Sequence, residues 1–411
     1  MKVSLSELSV TFFVLFFLSV ALHKTNYLIS LLIGLNVQSL VGISLLFFPT
    51  VFLILTYICS RNKEVFALGD SPLVLFIFFF VHILACVGML SGNQPVVIFT
   101  EYWTAWLVFL SFLIARDLKK WKLFEQKFHI MFYFFSALVA VGFLFPAEHL
   151  SEFLDKIEGI TTASVAYQIS QILDFWPLLF MMRFFKGTGL KNKVIAFLPF
   201  VIYLLFQVLF LKRAPSVRAI AYIATAVSLY YYLKGLRSFL PKVFLFGSVL
   251  FCIALFLTPE KLADRFMTPD SARQNETITM LEQMSVPQHI FGKGLGGYFY
   301  NEEVGGATAV DDSGKVGKYI LHIGISYAYL KGGVVLLFMI FILYASSIFR
   351  ALLHLHTLTA EQKSALCFLI VYGVFRIIEG PFSTGAIFDG MLFGLSLGIL
   401  SKKSFKDSFE N

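Results

Sequence analysis

Charge is what this sequence has least of. Only 14% of its 411 residues are Asp, Glu, Lys or Arg, whereas 58% are hydrophobic and 49 are phenylalanine. A water-soluble chain of this length has too little polar surface to cover so much apolar mass. The composition therefore excludes a soluble globular protein and implies a polytopic membrane protein. Alternating patterns are missing as well: the apolar runs are continuous, which excludes a β-barrel and leaves an all-α bundle of membrane helices. Cysteine is scarce. Cys59, Cys86, Cys252 and Cys367 all lie in apolar runs with no motif spacing, so neither a disulfide framework nor a zinc site is supported. No spaced DxD, HExxH, P-loop or dinucleotide fingerprint occurs; Asp311 and Asp312 are adjacent in a glycine-rich stretch. Chemistry in this chain is then expected to use no metal and no cofactor, and to draw on a donor that is already activated. The net charge of +8 reports topology and implies no nucleic-acid partner.

Apolar segments fall near 6–22, 27–59, 73–91, 96–115, 129–146, 166–184, 193–211, 218–233, 242–258, 325–349, 363–380 and 386–400. The second exceeds the roughly 20 residues one crossing needs and is interrupted by Asn36, Gln38 and Pro49, so it is either one tilted or broken helix or two short segments. Counted once, it gives about twelve spans with both termini on one side. The charges agree: the segments this places inside hold 20 Lys and Arg, against 11 outside, six of them in one long loop. Both ends are thus assigned to the cytoplasm. The chain divides into nine spans with short loops (1–258), a large outer loop (259–324), and three further spans with a short tail (325–411). Lys2 and the apolar run after it look weakly like a signal peptide, but the flank LHKTNYL favours an uncleaved first span.

Three outer features carry candidate chemistry. The short turn QVLFLKRAPSVRAI places Lys212, Arg213 and Arg218 against the positive-inside bias. Snorkelling to headgroups explains them structurally; an outward anion site explains them functionally, since guanidinium forks suit bidentate phosphate contact. In the long loop, Arg265 and Arg273 flank an expected helix with a capping start at Thr268-Pro269-Asp270 and an apolar side of Ile278, Leu281 and Met284 turned to the membrane. Loop salt bridges with Asp264, Asp270 or Glu276 are the plainer explanation of both arginines. The run FGKGLGGYF, with Gly294 and Gly296 at its centre, permits a tight turn and close backbone approach to a ligand. His322, in YILHIGISYAYLKGG, stands where the chain re-enters the membrane. A neutral imidazole there either bonds a headgroup or accepts a proton from a sugar hydroxyl as general base. Without a metal, arginines must neutralise the departing group, which suits a lipid-linked diphosphate donor. Arg376 and Glu379 are three apart and read first as a pair on one helix face, second as cavity lining. Asp174 is a lone acid within a span.

Taken together, the arginine-bearing outer turn, the large late loop, the glycine run and the histidine before KGG resemble the bacterial O-antigen polymerases and O-antigen ligases. The specific likeness lies in residues 211–218 and 259–335. It implies a GT-C-like glycosyltransferase of the inner membrane, with its site facing the periplasm and an undecaprenyl-diphosphate-linked oligosaccharide as substrate. Arg213 or Arg218 with Arg265 or Arg273 would hold the diphosphate, and His322 would activate the acceptor hydroxyl for inverting attack. A chain-length regulator is a candidate partner. Ile323 replaces the asparagine the family often shows after this histidine, and no early outer loop supplies the paired carboxylate of acid-dependent GT-C enzymes. The closing segment HIGISYAYLKGGVVLLF favours a repeat-unit polymerase over a ligase. A lipid-linked oligosaccharide flippase is the alternative of another class, but it calls for related halves, which this sequence does not show.

Overall fold

The computed structural model describes residues 4–24, 72–117, 176–187, 213–235, 271–300, 308–310, 316–319, 321, 324–376 and 387–401, with scattered positions between 51 and 59, 123 and 133, and 189 and 201. The described elements are α1 (Leu5–Lys24), α2 (Pro72–Leu90), α3 (Pro95–Asp117), α4 (Trp176–Lys186), α5 (Arg213–Leu233), α6 (Ser271–Glu282), α7 (Val286–Phe291), β1 (Phe299–Tyr300), β2 (Thr308–Val310), β3 (Val316–Lys318), α8 (Gly324–Leu353), α9 (Ala360–Arg376) and α10 (Ile387–Ser401). The fold is mostly helical. Among the described residues, three helices, α2, α3 and α8, are long and apolar enough to cross a membrane. The outer faces of two of them suit lipid: Phe76, Phe79 and Ile83 of α2 and Val334, Phe338 and Phe341 of α8 are more than half exposed and recur at helical spacing. Such stripes are stable against lipid, not water.

Twelve crossings are not shown. The expected segments 27–59, 129–146, 193–211 and 242–258 lie wholly or largely outside the described residues, as does Asp174. Elsewhere the helices fall on the apolar runs, with α1, α2, α3, α5, α8, α9 and α10 each covering one.

Helix α10 packs against α3 through its small residues. Gly394 sits against the Val108 carbonyl and Gly398 against the Phe112 carbonyl, where a Cβ would collide. Small residues four apart let membrane helices approach backbone to backbone, which matters because lipid supplies no hydrophobic drive for association. A ladder of rings then runs across α5, α9, α10 and α8: Tyr222 stacks on Phe368, Phe368 on Tyr372, Tyr372 on Phe393 and Phe393 on Tyr344.

The bundle has two distinguishable ends. At one, Lys186 of α4 pairs with Glu361 of α9 at 2.8 Å, and Leu233 packs with Ala351, Leu355 and Leu366. The helices that finish or begin there place their other termini at the opposite end: the start of α5, the start of α8 and the finish of α9. The α2–α3 hairpin tip, residues 91–94, and the glycine run join them, because Asn93 of the tip bonds the run directly.

Candidate functional site

The glycine run is an inserted plug. Helix α7 leads into it, its first turn closed by the Ser285 N–H donating to Gln288 Oε1 at 3.0 Å. Its His289 Nδ1 lies 2.9 Å from the Tyr329 hydroxyl of α8. Gly292, Gly294 and Gly296 then take φ values of 75°, 75° and 73°, a region that side chains disfavour. The Gly297 N–H closes a turn onto the Gly294 carbonyl at 3.1 Å, with Gly296 at the position that requires positive φ.

Backbone groups taken among apolar helices need partners, and here each neighbour supplies one. The N–H groups of Lys293 and Gly294 donate to the Leu330 and Lys331 carbonyls of α8 at 2.8 and 3.0 Å, and that of Leu295 donates to the Leu84 carbonyl of α2 at 3.0 Å. Asn93 Nδ2 donates to the carbonyls of Lys293 and Leu295 at 3.0 and 2.9 Å. The carbonyls on α8 are available because that helix breaks at Gly333, whose φ of 60° and ψ of −159° end its first half.

Two charges inside the bundle complete the joint. Glu101 of α3 and Lys331 of α8 are 3% and 2% exposed and pair at 2.7 Å. The Gly296 N–H donates to Glu101 Oε2 at 2.7 Å, and Lys331 Nζ donates to the Gly297 carbonyl at 2.7 Å. Lys331 also lies 5.0 Å from the ring centre of Tyr327, whose phenol neighbours the Glu101 carboxylate. A lone buried charge is costly, so each member stabilises the other only while both remain. Just outside, Lys293 Nζ donates to the Tyr298 carbonyl at 3.0 Å; burial, and then the Lys331 charge, hold its pKa below the ordinary lysine value.

Beyond the plug, α6 and a three-stranded antiparallel sheet of order β1-β3-β2 form a shelf. Gln283 grips Tyr300 from both sides, accepting from its N–H at 2.8 Å and donating to its carbonyl at 2.7 Å. Met280, Met284, Phe299, Leu321, Tyr327 and Leu330 fill the space beneath. Phe299 lies opposite Lys318 in the ladder, so the two side chains share a face. Lys318 is 2% exposed and finds no hydrogen-bond partner among the described residues. Burial lowers its pKa, and the nearby Glu276 carboxylate opposes that shift. Thr277 and Ser326 tie α6 to the first turn of α8 at 3.0 Å.

Several expectations change against this geometry. Residues 213–218 are not a turn: Arg213 opens α5, and Arg218 lies in its second turn, 3% exposed. Pro215 is tolerated because the first N–H groups of a helix have no partner within it. The close approach that Gly294 and Gly296 make is to the protein itself: a Cβ on Gly294 would strike the backbone of Gly88, and one on Gly296 would come within 2.8 Å of Ile98 Cγ1. Helix α6 buries Glu276 and Met280, and Met284 just beyond its end is buried too, while Ile278 and Leu281 are 53% and 37% exposed, so the apolar side proposed from Ile278, Leu281 and Met284 is split. Arg273 lies within α6, and Arg376 is the last residue of α9. Lys212, Arg265, His322 and Glu379 lie outside the described residues. In the chain, His322 falls four positions after β3 and two before α8.

Neither Glu101 nor Lys331 is among the candidate residues read from the sequence. The signal was present, since each is a single charge within an apolar run. Among the described residues, no group of three or more His, Cys, Asp or Glu could hold a metal ion. No protein family, curated protein or solved structure matches the chain.

Proposed function

We propose that this protein is a membrane glycosyltransferase that polymerises lipid-linked glycan repeat units. In this reading it crosses the bacterial inner membrane about twelve times with both termini in the cytoplasm, and residues 259–324 face the periplasm. The observation that carries the reading is a convergence at one end of the bundle. The arginine-headed start of α5, the arginine at the finish of α9, the α6–sheet shelf and the start of α8 all belong to that end. Arginines there suit a diphosphate, and His322 lies between β3 and α8 in the chain.

The reaction needs no redox step. An acceptor hydroxyl attacks the anomeric carbon of the donor glycan, and a new C–O bond forms as the bond to the diphosphate oxygen breaks. His322 takes the hydroxyl proton, and undecaprenyl diphosphate leaves against the arginines Arg213 or Arg218 and Arg265 or Arg273. Inversion at that carbon follows from a single displacement.

The broken α8 and its inserted plug favour a second reading, a transporter of lipid-linked oligosaccharide, because discontinuous helices often build transport sites. Chromosomal deletion followed by gel analysis of the surface glycan separates the readings. Loss of the polymer ladder with single repeats still capping the lipid supports the polymerase. Bare lipid core with polymer held on the carrier indicates a ligase, and repeat units trapped in the inner leaflet indicate a transporter. His322→Ala is expected to reproduce the deletion while the protein still inserts; a full ladder in that variant removes His322 from the mechanism.

A further inference from the structure

The Glu101–Lys331 pair joins three parts of the chain that sequence keeps far apart. Glu101 belongs to α3, Lys331 to the first half of α8, and both also bond the plug, through Gly296 and Gly297. The first half of α8 is held chiefly from this side. Its Leu330 and Lys331 carbonyls accept from the plug, and its Tyr329 and Ser326 hydroxyls meet His289 and Thr277. The helix also breaks at Gly333, so its continuation cannot by itself fix the orientation of residues 324–332.

We propose that Glu101 and Lys331 are positioning residues: their ion pair latches the 292–297 plug between α2, α3 and α8, and thereby sets the orientation of residues 324–332, the segment that follows His322 in the chain. The positioning part rests on the glycosyltransferase reading above; the latch itself does not. Neither residue contacts substrate in this account. Both are shut inside the bundle, and the small cavity beside them, about 20 Å³, is bounded by Val81, Leu84, Ala105, Leu295 and Leu336, too little for more than a single water. The polar atoms of the pair are directed at each other and at the plug backbone. Removing the lysine alone strands a carboxylate among apolar helices, where the plug must shift to admit water. Removing both charges while keeping an amide at 101 leaves a neutral acceptor for the Gly296 N–H and no stranded charge.

The test uses the full-length protein in membranes, with Leu295→Cys as a reporter, since Leu295 is 7% exposed at the tip of the plug. A membrane-impermeant maleimide is applied, read above the background of the native cysteines. With the pair intact the reporter is expected to stay protected. Lys331→Met is expected to speed labelling by about tenfold or more, and to lower kcat for glycan transfer by a similar factor while KM stays within about twofold. Glu101→Gln combined with Lys331→Met is expected to restore both readouts, which a contact with substrate would not allow. Protection that survives Lys331→Met overturns the latch. Labelling that rises while transfer is unchanged overturns the positioning role. Absence of transfer by the unsubstituted protein defeats the glycosyltransferase reading and the positioning role with it, while labelling still decides the latch on its own.

Discussion

Gly88 and Leu295 meet backbone to backbone: the hydrogen of Gly88 that a side chain would replace faces the Leu295 carbonyl. This contact seats the plug against α2 one turn beyond the Leu84 carbonyl that accepts the Leu295 N–H. Gly88→Ala is expected to destabilise the fold by about 1–3 kcal/mol, the ordinary cost of overpacking. Thermal unfolding of the solubilised protein measures it. A variant as stable as the parent would mean that the plug does not dock there.

A second glycine prediction concerns the helix pair α3–α10. Gly394→Leu places a side chain where the Val108 carbonyl stands, and nothing at that spot can yield without parting the helices. The expected result is a protein that inserts but fails to hold its bundle, seen as loss of the monodisperse species on size-exclusion chromatography. Leucine at the lipid-facing Phe341, 63% exposed, is the control and is expected to be neutral.

These contacts show which features the sequence made legible. Continuous apolar runs located the helices, because a spanning segment must satisfy its backbone internally and shows this as length. The glycine run announced a backbone constraint but not its cause: FGKGLGGYF reads alike whether a phosphate or a helix presses against it. The partner of Lys331 was legible in kind but not in identity, since Glu101 lies 230 positions earlier in the chain and only packing brings them together. The arginine turn is a helix start for a local reason: the apolar run begins only near residue 218, whereas the helix begins at Arg213, with Pro215 at a position compatible with a first turn. The division of α6 into buried Met280 and exposed Ile278 depends on the sheet beneath it, which no local pattern encodes.

At the opposite end of the bundle, Lys186 and Glu361 give a pH-dependent prediction. Burial opposes ionisation of Glu361, yet the Lys186 ammonium and nearby hydrogen bonds outweigh it and hold the carboxyl below its ordinary value. A depressed pKa means the stabilisation is fully present above the unfolded value and is lost as pH falls through the folded one. The difference in Tm between the parent and Glu361→Gln is therefore expected at pH 7, should begin to shrink as the pH falls to the ordinary glutamate value of about 4.3, and should vanish once it is below the depressed folded value. The pair is partly exposed, so the contribution is at most about 1 kcal/mol. A difference that grows on acidification would contradict it.

Arg218 is the described arginine with the most enclosed side chain, in the second turn of α5. If it grips a diphosphate with two parallel N–H donors, Arg218→Lys keeps the charge and loses the fork. Transfer is then expected to fall by about tenfold or more, as one good charge-assisted bond is lost. Rates near those of the parent would reduce its role to charge alone.

The most direct measurement is made on the purified protein reconstituted in vesicles with a polyprenyl-diphosphate-linked repeat unit and no added metal or nucleotide. The account expects products of two and more repeats, with one polyprenyl diphosphate released for each bond formed and none when His322→Ala is substituted. Repeat units that cross the bilayer unchanged, with no diphosphate released, would contradict it.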